Sequence, residues 1–166
     1  MTISFVTTTS YGTWLPGNAR GYVSKGEMLP GDAKLFELSR NQLKKPPIYF
    51  STTDRDRLFS ALVASCLEFG YRLSDATIEA WHLHWIFFHG DDAIEAAVGR
   101  LKTRIRQALS RGRIWTEKYC AEPLFDNAAV EKAQEYIARH AGCMMLNGLL
   151  VDRKNPRQSR GLPVVR

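Results

Sequence analysis

The spacing of apolar residues along the chain predicts an alternation of strands and helices. The first strand is the β-branched and aromatic segment 3–9, and it ends at the turn-rich residues 11–17. Residues 18–50 then form an insertion. Within it we expect a short helix that Asp32 caps and that ends near Leu43, before Pro46 and Pro47.

The segment after the insertion predicts a helix followed by two strands. Apolar residues recur at helical spacing from Leu58 to Leu67, with Gly70 as the expected end. Thr53, with Asp56 three residues later, is the expected cap. The strands are expected at about 71–80 and 82–89, and the second is dense in Trp, Ile and Phe.

The remaining pattern predicts a helix, a short strand and a final helix. Asp91, Asp92 and Glu95 are expected to open the first of these helices, whose apolar positions from Ile94 to Leu109 face inward. The strand is expected around residues 114–120. Asp126 or Asn127 is the expected cap of the final helix, which would run to about residue 141 with Gly142 after it.

The order of these elements is typical of one fold class. Strand, helix, strand, strand, helix, strand corresponds to an α+β, ferredoxin-like (RRM-like) βαββαβ antiparallel sheet. The last helix is additional and can lie on the open face of the sheet. We expect one domain at residues 1–142, with the insertion at 18–50, and a C-terminal extension at 143–166 in which Asn147-Gly148 fits a hairpin or a helix equally well.

Composition narrows the class of protein without identifying it. The chain has 166 residues, 45% of them hydrophobic and 24% charged, which is an ordinary globular balance. No run of residues is apolar and long enough for a membrane span, and no targeting segment is visible, so we expect a cytoplasmic protein without membrane contact. The three cysteines are widely spaced and predict neither a disulfide framework nor a thiolate zinc site.

Positive charge is concentrated in two segments. The net charge is +6, and residues 96–116 contain six cations without an acid, as residues 153–166 contain five. Such blocks attract polyanions, although a solvated helix face and a disordered tail would look the same. If the partner is DNA, the expected phosphate contacts are Arg100, Lys102, Arg104, Arg106, Arg111 and Arg113.

Two histidines in one predicted strand are candidate metal ligands. His82 and His84 are two residues apart, so their side chains share a face about 7 Å apart along the strand. Neutral imidazole is the commonest metal ligand in proteins. Histidines on a strand are also often packed or hydrogen-bonded, and the aromatic neighbours of this pair fit that interpretation equally well.

The final helix adds a second pair of candidate residues. Tyr136 and His140 are four positions apart, so they lie on one helical face with a rise of about 6 Å. Lys132 lies one turn earlier on the same stripe. The pair can present a nucleophile and a third metal ligand to one place, but taken alone it is also compatible with simple packing.

Together these features resemble the single-tyrosine HUH transposases, which include insertion-sequence and REP-associated tyrosine transposases. The resemblance lies in His82-Leu83-His84 on a strand, the basic helix after it, the Ile114-Trp115 segment and a helix with Tyr136-Ile137, and it extends from about residue 3 to 142. It implies that His82, His84 and His140 bind a divalent metal. It also implies that Tyr136 attacks DNA to give a 5′-phosphotyrosine. The phenol needs help to react at neutral pH, and the nearby cations that can assist are the metal and Lys132.

The chain departs from this family at two positions. Gln or Asn is more usual where His140 stands, and three imidazoles suit Mn²⁺ or Zn²⁺ better than Mg²⁺. The Asn-Pro that commonly follows the tyrosine is absent, since His140-Ala141 stands there. These departures bear mainly on which metal is used.

The resemblance implies a metal-dependent transposase or nickase that cleaves and rejoins single-stranded or hairpin DNA. Two alternatives stay open: a domesticated protein that binds such nucleic acid without cleaving it, and a structural zinc domain, for which no fourth ligand is evident. The resemblance leaves open a monomer or a homodimer whose tyrosine helix serves the partner subunit. Four aromatic residues either stack on unpaired bases or belong to the core: Trp14, Trp81, Trp115 and Tyr119.

Overall fold

The structure, a computed structural model, describes residues 2–140, and this range contains ten helices and strands. In chain order they are β1 (Ile3–Thr9), β2 (Tyr22–Ser24), β3 (Glu27–Leu29), α1 (Ala33–Asn41), α2 (Thr52–Phe69), β4 (Arg72–Ile78), β5 (His82–Phe88), α3 (Ile94–Gln107), β6 (Cys120–Leu124) and α4 (Asn127–Ala138). The expected residue after the last helix, Gly142, and the expected extension at 143–166 lie outside the described residues.

Four strands form the antiparallel sheet that the sequence predicts. Their order is β4-β5-β1-β6, which places β1 and β5 at the centre and matches a ferredoxin-like sheet. In the central pair Thr7 is opposite His84 and Thr9 is opposite His82. The edges of the sheet are irregular: β4 has a register shift between Leu73 and Asp75, and β6 contains Pro123. The predicted α+β class is confirmed.

The two faces of the sheet have different partners because strand side chains alternate. Leu83, Trp85 and Phe87 of β5 are fully buried with the apolar residues of α2 and α3 in the large core. Ile86 points the other way and joins a smaller cluster with Ala133 and Ile137 of α4. His82 and His84 share the parity of Ile86, so they lie on the face that α4 covers.

The predicted strand at 114–120 is wrong, because β6 begins where it was expected to end. Ile114 and Trp115 are buried, but they enter the large core from an irregular segment, which meets the end of β1 through an isolated bridge from Trp115 to Ser10 and a hydrogen bond from Thr116 N to the carbonyl oxygen of Thr9. Their burial made the segment look like a strand. The residues that pair with β1 are Cys120 to Leu124.

Three helix starts test the predicted caps. Asp126 and Asp32 cap α4 and α1 as expected. The expected cap of α2 is wrong: Ser51 forms a capping box with Asp54, two residues before the expected pair. Asp54 is buried and bonded to Arg111, which fixes this register of the box.

The start of α3 also differs from the prediction. Ala93 is the N-cap and makes no side-chain hydrogen bond. Asp92 does not cap the helix but accepts hydrogen bonds from Tyr71 and Arg100, at 2.5 and 2.6 Å. Its carboxylate therefore links Tyr71, the residue just before β4, to Arg100 of α3.

The insertion contains the expected helix α1 and an unpredicted hairpin, β2-β3. It packs closely against the loop that follows β1. A Cβ at Gly17 (φ +83°) would lie 2.4 Å from the carbonyl oxygen of Asp32 and 2.4 Å from the backbone nitrogen of Phe36. A Cβ at Gly31 would lie 2.7 Å from Cα of Ala19. Only glycine allows these backbones to approach so closely.

Across residues 2–140 no helix combines the length and apolar character needed to cross a membrane.

Candidate metal and tyrosine site

Two buried histidines of β5 lie side by side on the face of the sheet that α4 covers. The exposed fractions of His82 and His84 are 7% and 3%, and their ring centroids are 4.6 Å apart. This is the shared face that their spacing predicts.

The end of α4 brings a third histidine to the same place. The ring centroid of His140 is 5.3 Å from that of His82 and 4.9 Å from that of His84. One potential ligand atom from each of the three residues lies within 4.8 Å of the others. The predicted convergence of the three side chains is therefore confirmed.

Hydrogen bonds leave one nitrogen of each sheet histidine facing this cluster without a partner. Thr7 Oγ1 and His84 Nδ1 are 2.7 Å apart, while Nε2 of His84 and Nδ1 of His82 are buried and make no hydrogen bond within residues 2–140. Nδ1 of His140 is 3.0 Å from the carbonyl oxygen of Tyr136, to which it can donate. Buried nitrogens without partners are costly unless their lone pairs bind something, and a cation would satisfy them. The residues present therefore fit a metal ion.

Both sheet histidines are neutral at physiological pH. Burial lowers the pKa of His82 to about 4, helped by the charges of His140 and Arg20. Burial likewise lowers the pKa of His84 to about 3, helped by His82 and His140. A cation would therefore meet little competition from protons at these two imidazoles near pH 7.

Tyr136 lies against this cluster and is open to solvent. Its ring centroid is 5.2 Å from that of His84 and 5.0 Å from that of His140, and 46% of the residue is exposed. Phe5 supports the ring edge-on at 5.8 Å. Lys132, one turn earlier on α4, is exposed and forms no ion pair within residues 2–140. The arrangement offers an accessible phenol beside a group of metal-ligating nitrogens.

A polar contact at the side of the sheet orients α4. Gln134 donates to Asp75 Oδ2 at 2.7 Å and to Ser74 Oγ at 3.2 Å, and Asp75 is buried. Ala133 and Ile137 pack on Ile86 beside it. Together these contacts fix the rotation of the helix about its own axis, and hence the direction of Tyr136 and His140.

The cations expected to contact DNA lie elsewhere. They belong to α3 and the segment after it, which pack on the opposite face of the sheet from the histidines. Arg100, Arg104 and Arg111 form ion pairs with Asp92, Glu68 and Asp54. Lys102 donates to the carbonyl oxygen of Thr116 at 2.9 Å, and burial lowers its pKa to about 8.

A cation close enough to lower the pKa of His82, Arg20, was not among the predicted residues. The guanidinium of Arg20 lies 4.3 Å from the ring centroid of Trp81 and 5.3 Å from that of Trp14. The ring of Trp81 in turn lies against that of His82, with centroids 4.0 Å apart and the ring planes tilted by 55°. The position of Trp81 beside the site could be inferred from the sequence, because Trp81 directly precedes His82. Nothing in the sequence near Arg20 indicates that it lies there. Trp115, by contrast, is a core residue, and Tyr119 packs against that core.

No protein-family model matches this chain, and no curated protein matches it.

The fold does have counterparts among solved structures. One is a REP-associated tyrosine transposase bound to a REP hairpin, with a TM-score of 0.53 and 13% identity over 82% of this chain. The match covers 64% of that protein, which is less than two thirds of its length. A second is a candidate transposase from Deinococcus radiodurans, at 14% identity and a TM-score of 0.44, covering 86% of this chain and 92% of that one. The chain thus has the fold of a REP-associated tyrosine transposase.

Proposed function

We propose that this chain is a single-tyrosine HUH transposase, a metal-dependent enzyme that cleaves and rejoins single-stranded or hairpin DNA. The observation that carries the proposal is the meeting of His82, His84 and His140 around buried nitrogens without partners, with Tyr136 against them. The domain would comprise residues 1–142, with the insertion at 18–50.

The three histidines would hold a divalent cation. All three ligands are imidazoles, a set that suits Mn²⁺ or Zn²⁺ better than Mg²⁺. When bound there, the ion would polarise the scissile phosphate and stabilise negative charge on its oxygens. A structural zinc site normally has four protein ligands, whereas the cluster within residues 2–140 has three.

Tyr136 would supply the nucleophile. Its phenol oxygen forms a bond to phosphorus as the bond from phosphorus to the 3′ oxygen breaks, which leaves a 5′-phosphotyrosine and a free 3′-hydroxyl. The phenol proton passes to water and the departing 3′ oxygen takes up a proton. A 3′-hydroxyl can reverse the step, so joining needs no nucleotide cofactor. Lys132, on the same stripe of α4, would favour the phenolate by its positive charge.

DNA is the proposed partner because one solved structure with this fold, a REP-associated tyrosine transposase, is bound to a REP hairpin. Arg100, Lys102, Arg104, Arg106, Arg111 and Arg113 would contribute phosphate contacts from the far side of the sheet. A hairpin can reach both faces only by passing around an edge of the sheet.

The test is covalent capture of DNA. Wild type, Tyr136→Phe and the control Tyr49→Phe, which alters another exposed tyrosine, are incubated with Mn²⁺ and hairpin oligonucleotides taken from the DNA that flanks the gene. Wild type and Tyr49→Phe should give a protein-DNA adduct that survives detergent, and Tyr136→Phe none. An adduct in Tyr136→Phe would assign the nucleophile elsewhere; tight binding without any adduct in wild type would favour a non-cleaving binding protein.

A further inference from the structure

An aromatic and cationic cluster lies beside the three histidines, and we call it the Trp-Arg cluster: Trp14, Arg20 and Trp81. The two indole centroids are 5.5 Å apart, and the guanidinium of Arg20 lies over both rings. Both indoles are half-buried and Arg20 is exposed. Because the ring of Trp81 lies against that of His82, with the centroids 4.0 Å apart, the cluster is continuous with the candidate metal site.

Arg20 differs from three arginines on the opposite face of the sheet in what its guanidinium contacts. Arg100, Arg104 and Arg111 each bond a carboxylate, whereas Arg20 forms no ion pair with an acid in the described part of the chain. The aromatic rings hold its guanidinium by its face, which leaves the N–H groups at its edge for an acceptor. A planar fork of this kind matches a phosphate.

With a cation on the three histidines, the charge of Arg20 beside His82 would be unfavourable without an anion. A guanidinium next to a group of cation-binding nitrogens repels the ion that those nitrogens would hold. A phosphodiester placed between the two would be attracted by both. Electrostatics therefore predict an anion at the junction of the Trp-Arg cluster and the histidines.

Hydrogen bonds hold the three segments that carry the cluster: the loop after β1 with Trp14, the start of the insertion with Arg20, and the turn before β5 with Trp81. Asp32 N donates to Gly17 O at 3.0 Å, and Arg20 N donates to Asn18 Oδ1 at 3.0 Å. At the other side, Ser10 N donates to the carbonyl oxygen of Trp81 at 2.8 Å. With the close glycine contacts described above, these bonds fix the rings before any ligand arrives, which lowers the entropic cost of binding.

We propose that the Trp-Arg cluster is a subsite for an unpaired nucleotide next to the scissile phosphate, where Arg20 binds a backbone phosphate and Trp14 stacks on the base. The inference rests on the proposed function and adds to it a contact that acts on single-stranded DNA alone. Stacking on an indole is tolerant of sequence because every base has a π face. A paired base is already stacked on its neighbours and cannot use it.

Two probes separate the stack from the charge. One is fluorescein-labelled dT12, and the other is an abasic 12-mer that keeps every phosphate and lacks every base. Fluorescence anisotropy gives the Kd of each at several salt concentrations. Trp14→Ala should weaken dT12 binding by about tenfold, within the range for one base stack, and leave the abasic probe unchanged. Arg20→Ala should weaken both and reduce the salt slope by about 0.7, the value for one phosphate of a single strand.

Matched variants test whether a loss of binding comes from misfolding or from the loss of any positive charge, and not from the subsite itself. Arg57→Ala removes an exposed cation from α2, on the opposite face, and should change neither Kd nor slope by as much as Arg20→Ala. Trp14→Phe should restore part of the dT12 affinity, and Arg20→Lys should keep the salt slope. Circular dichroism of each variant verifies that it is folded.

The outcomes distinguish this inference from the proposed function. If Trp14→Ala affects both probes equally, or Arg20→Ala behaves like Arg57→Ala, the subsite is refuted even where the Tyr136 adduct forms. If wild type does not bind dT12 at all, the subsite is also refuted. If both variants behave as expected but no adduct ever forms, the subsite stands and the proposed chemistry fails.

Discussion

Thr7 and His84 form a hydrogen bond between β1 and β5 that decides which ring nitrogen of His84 faces the cluster. With Nδ1 engaged by the hydroxyl at 2.7 Å, Nε2 is the nitrogen left to bind a cation. The threonine thus occupies Nδ1 and fixes the ring plane, although it would not touch the ion itself.

Thr7→Val should therefore weaken metal binding while the fold persists. Valine has nearly the same shape but cannot hold the ring, and loss of such a supporting bond typically costs about 10- to 100-fold in affinity. Titration calorimetry with Mn²⁺ measures the change. Thr9→Val is the control, because Thr9 lies on the same strand face but bonds Thr116. Equal effects of the two variants would argue against an orienting role for Thr7.

The pH dependence of stability in the metal-free protein should report the burial of the two sheet histidines. Their folded pKa values are about 4 and about 3, whereas an unfolded imidazole has a pKa near 6.5. Below about pH 6.5 the unfolded chain binds more protons, so the free energy of unfolding falls as the pH decreases toward 4. Above about pH 7 these groups contribute no slope.

Urea denaturation with a chelator at about pH 7.5 and pH 5 measures this effect. His84→Asn should lose less stability between the two pH values than wild type. His89→Asn is the control, since His89 lies just past the end of β5, is bonded to Ser4 and contacts Phe87 of the large core, away from the histidine cluster. A wild-type stability that does not fall on acidification would contradict the buried neutral state of the pair.

At the scale of elements, α4 depends on few contacts for its placement. Its apolar side meets only the small cluster around Ile86, and its polar anchor is the bond from Gln134 to the buried carboxylate of Asp75. Tyr136 lies on this helix, and His140 is the second residue after its end. The positions of Tyr136 and His140 relative to the sheet therefore depend on these contacts.

Gln134→Ala should lower both stability and metal affinity, because a buried carboxylate loses a donor at a cost of about 1–3 kcal/mol and α4 can rotate. Thermal denaturation and Mn²⁺ calorimetry measure the two effects. Glu131→Ala, an exposed position on the same helix, is the matched control. If the Mn²⁺ affinity of Gln134→Ala equals that of the control, the anchor does not position the site.

The sequence predicted those parts of the fold and site that depend on local spacing. The two-residue spacing of His82 and His84 and the four-residue spacing of Tyr136 and His140 each fix a shared face, and the structure brings the histidines together. Contacts between distant segments were not predictable. Arg20 reaches the histidines only because the loop after β1 folds over the start of β5, and the Asp54–Arg111 pair that fixes the start of α2 joins residues far apart in sequence.

At the scale of the whole molecule, a large core and a small one lie on opposite faces of one sheet. α2 and α3 build the large core, and α4 alone covers the other face within residues 2–140. Contacts across the small core are few, so α4 should open more easily than the rest. A ligand that joins β5 to α4 should oppose this opening.

Mn²⁺ should therefore slow amide hydrogen exchange in α4 more than in α2. At 100 times its Kd a ligand adds about 2.7 kcal/mol to the state that binds it, so protection in a locally opening helix should rise about 100-fold. Exchange with mass spectrometry, with and without Mn²⁺, measures this rise. His140→Ala should abolish it. Uniform protection over the whole chain would instead indicate that α4 opens only with global unfolding.

The irregular edges of the sheet bear on how copies of this chain could assemble. Exposed strand edges are templates for pairing with another chain, and proteins commonly protect them with bulges and prolines. Here β4 carries a register shift between Leu73 and Asp75, and Pro123 gives β6 no amide hydrogen at that position. Both outer strands thus disfavour a continuous intermolecular sheet, which protects the chain against edge-to-edge aggregation. Two copies working on one hairpin would have to meet through helices or loops.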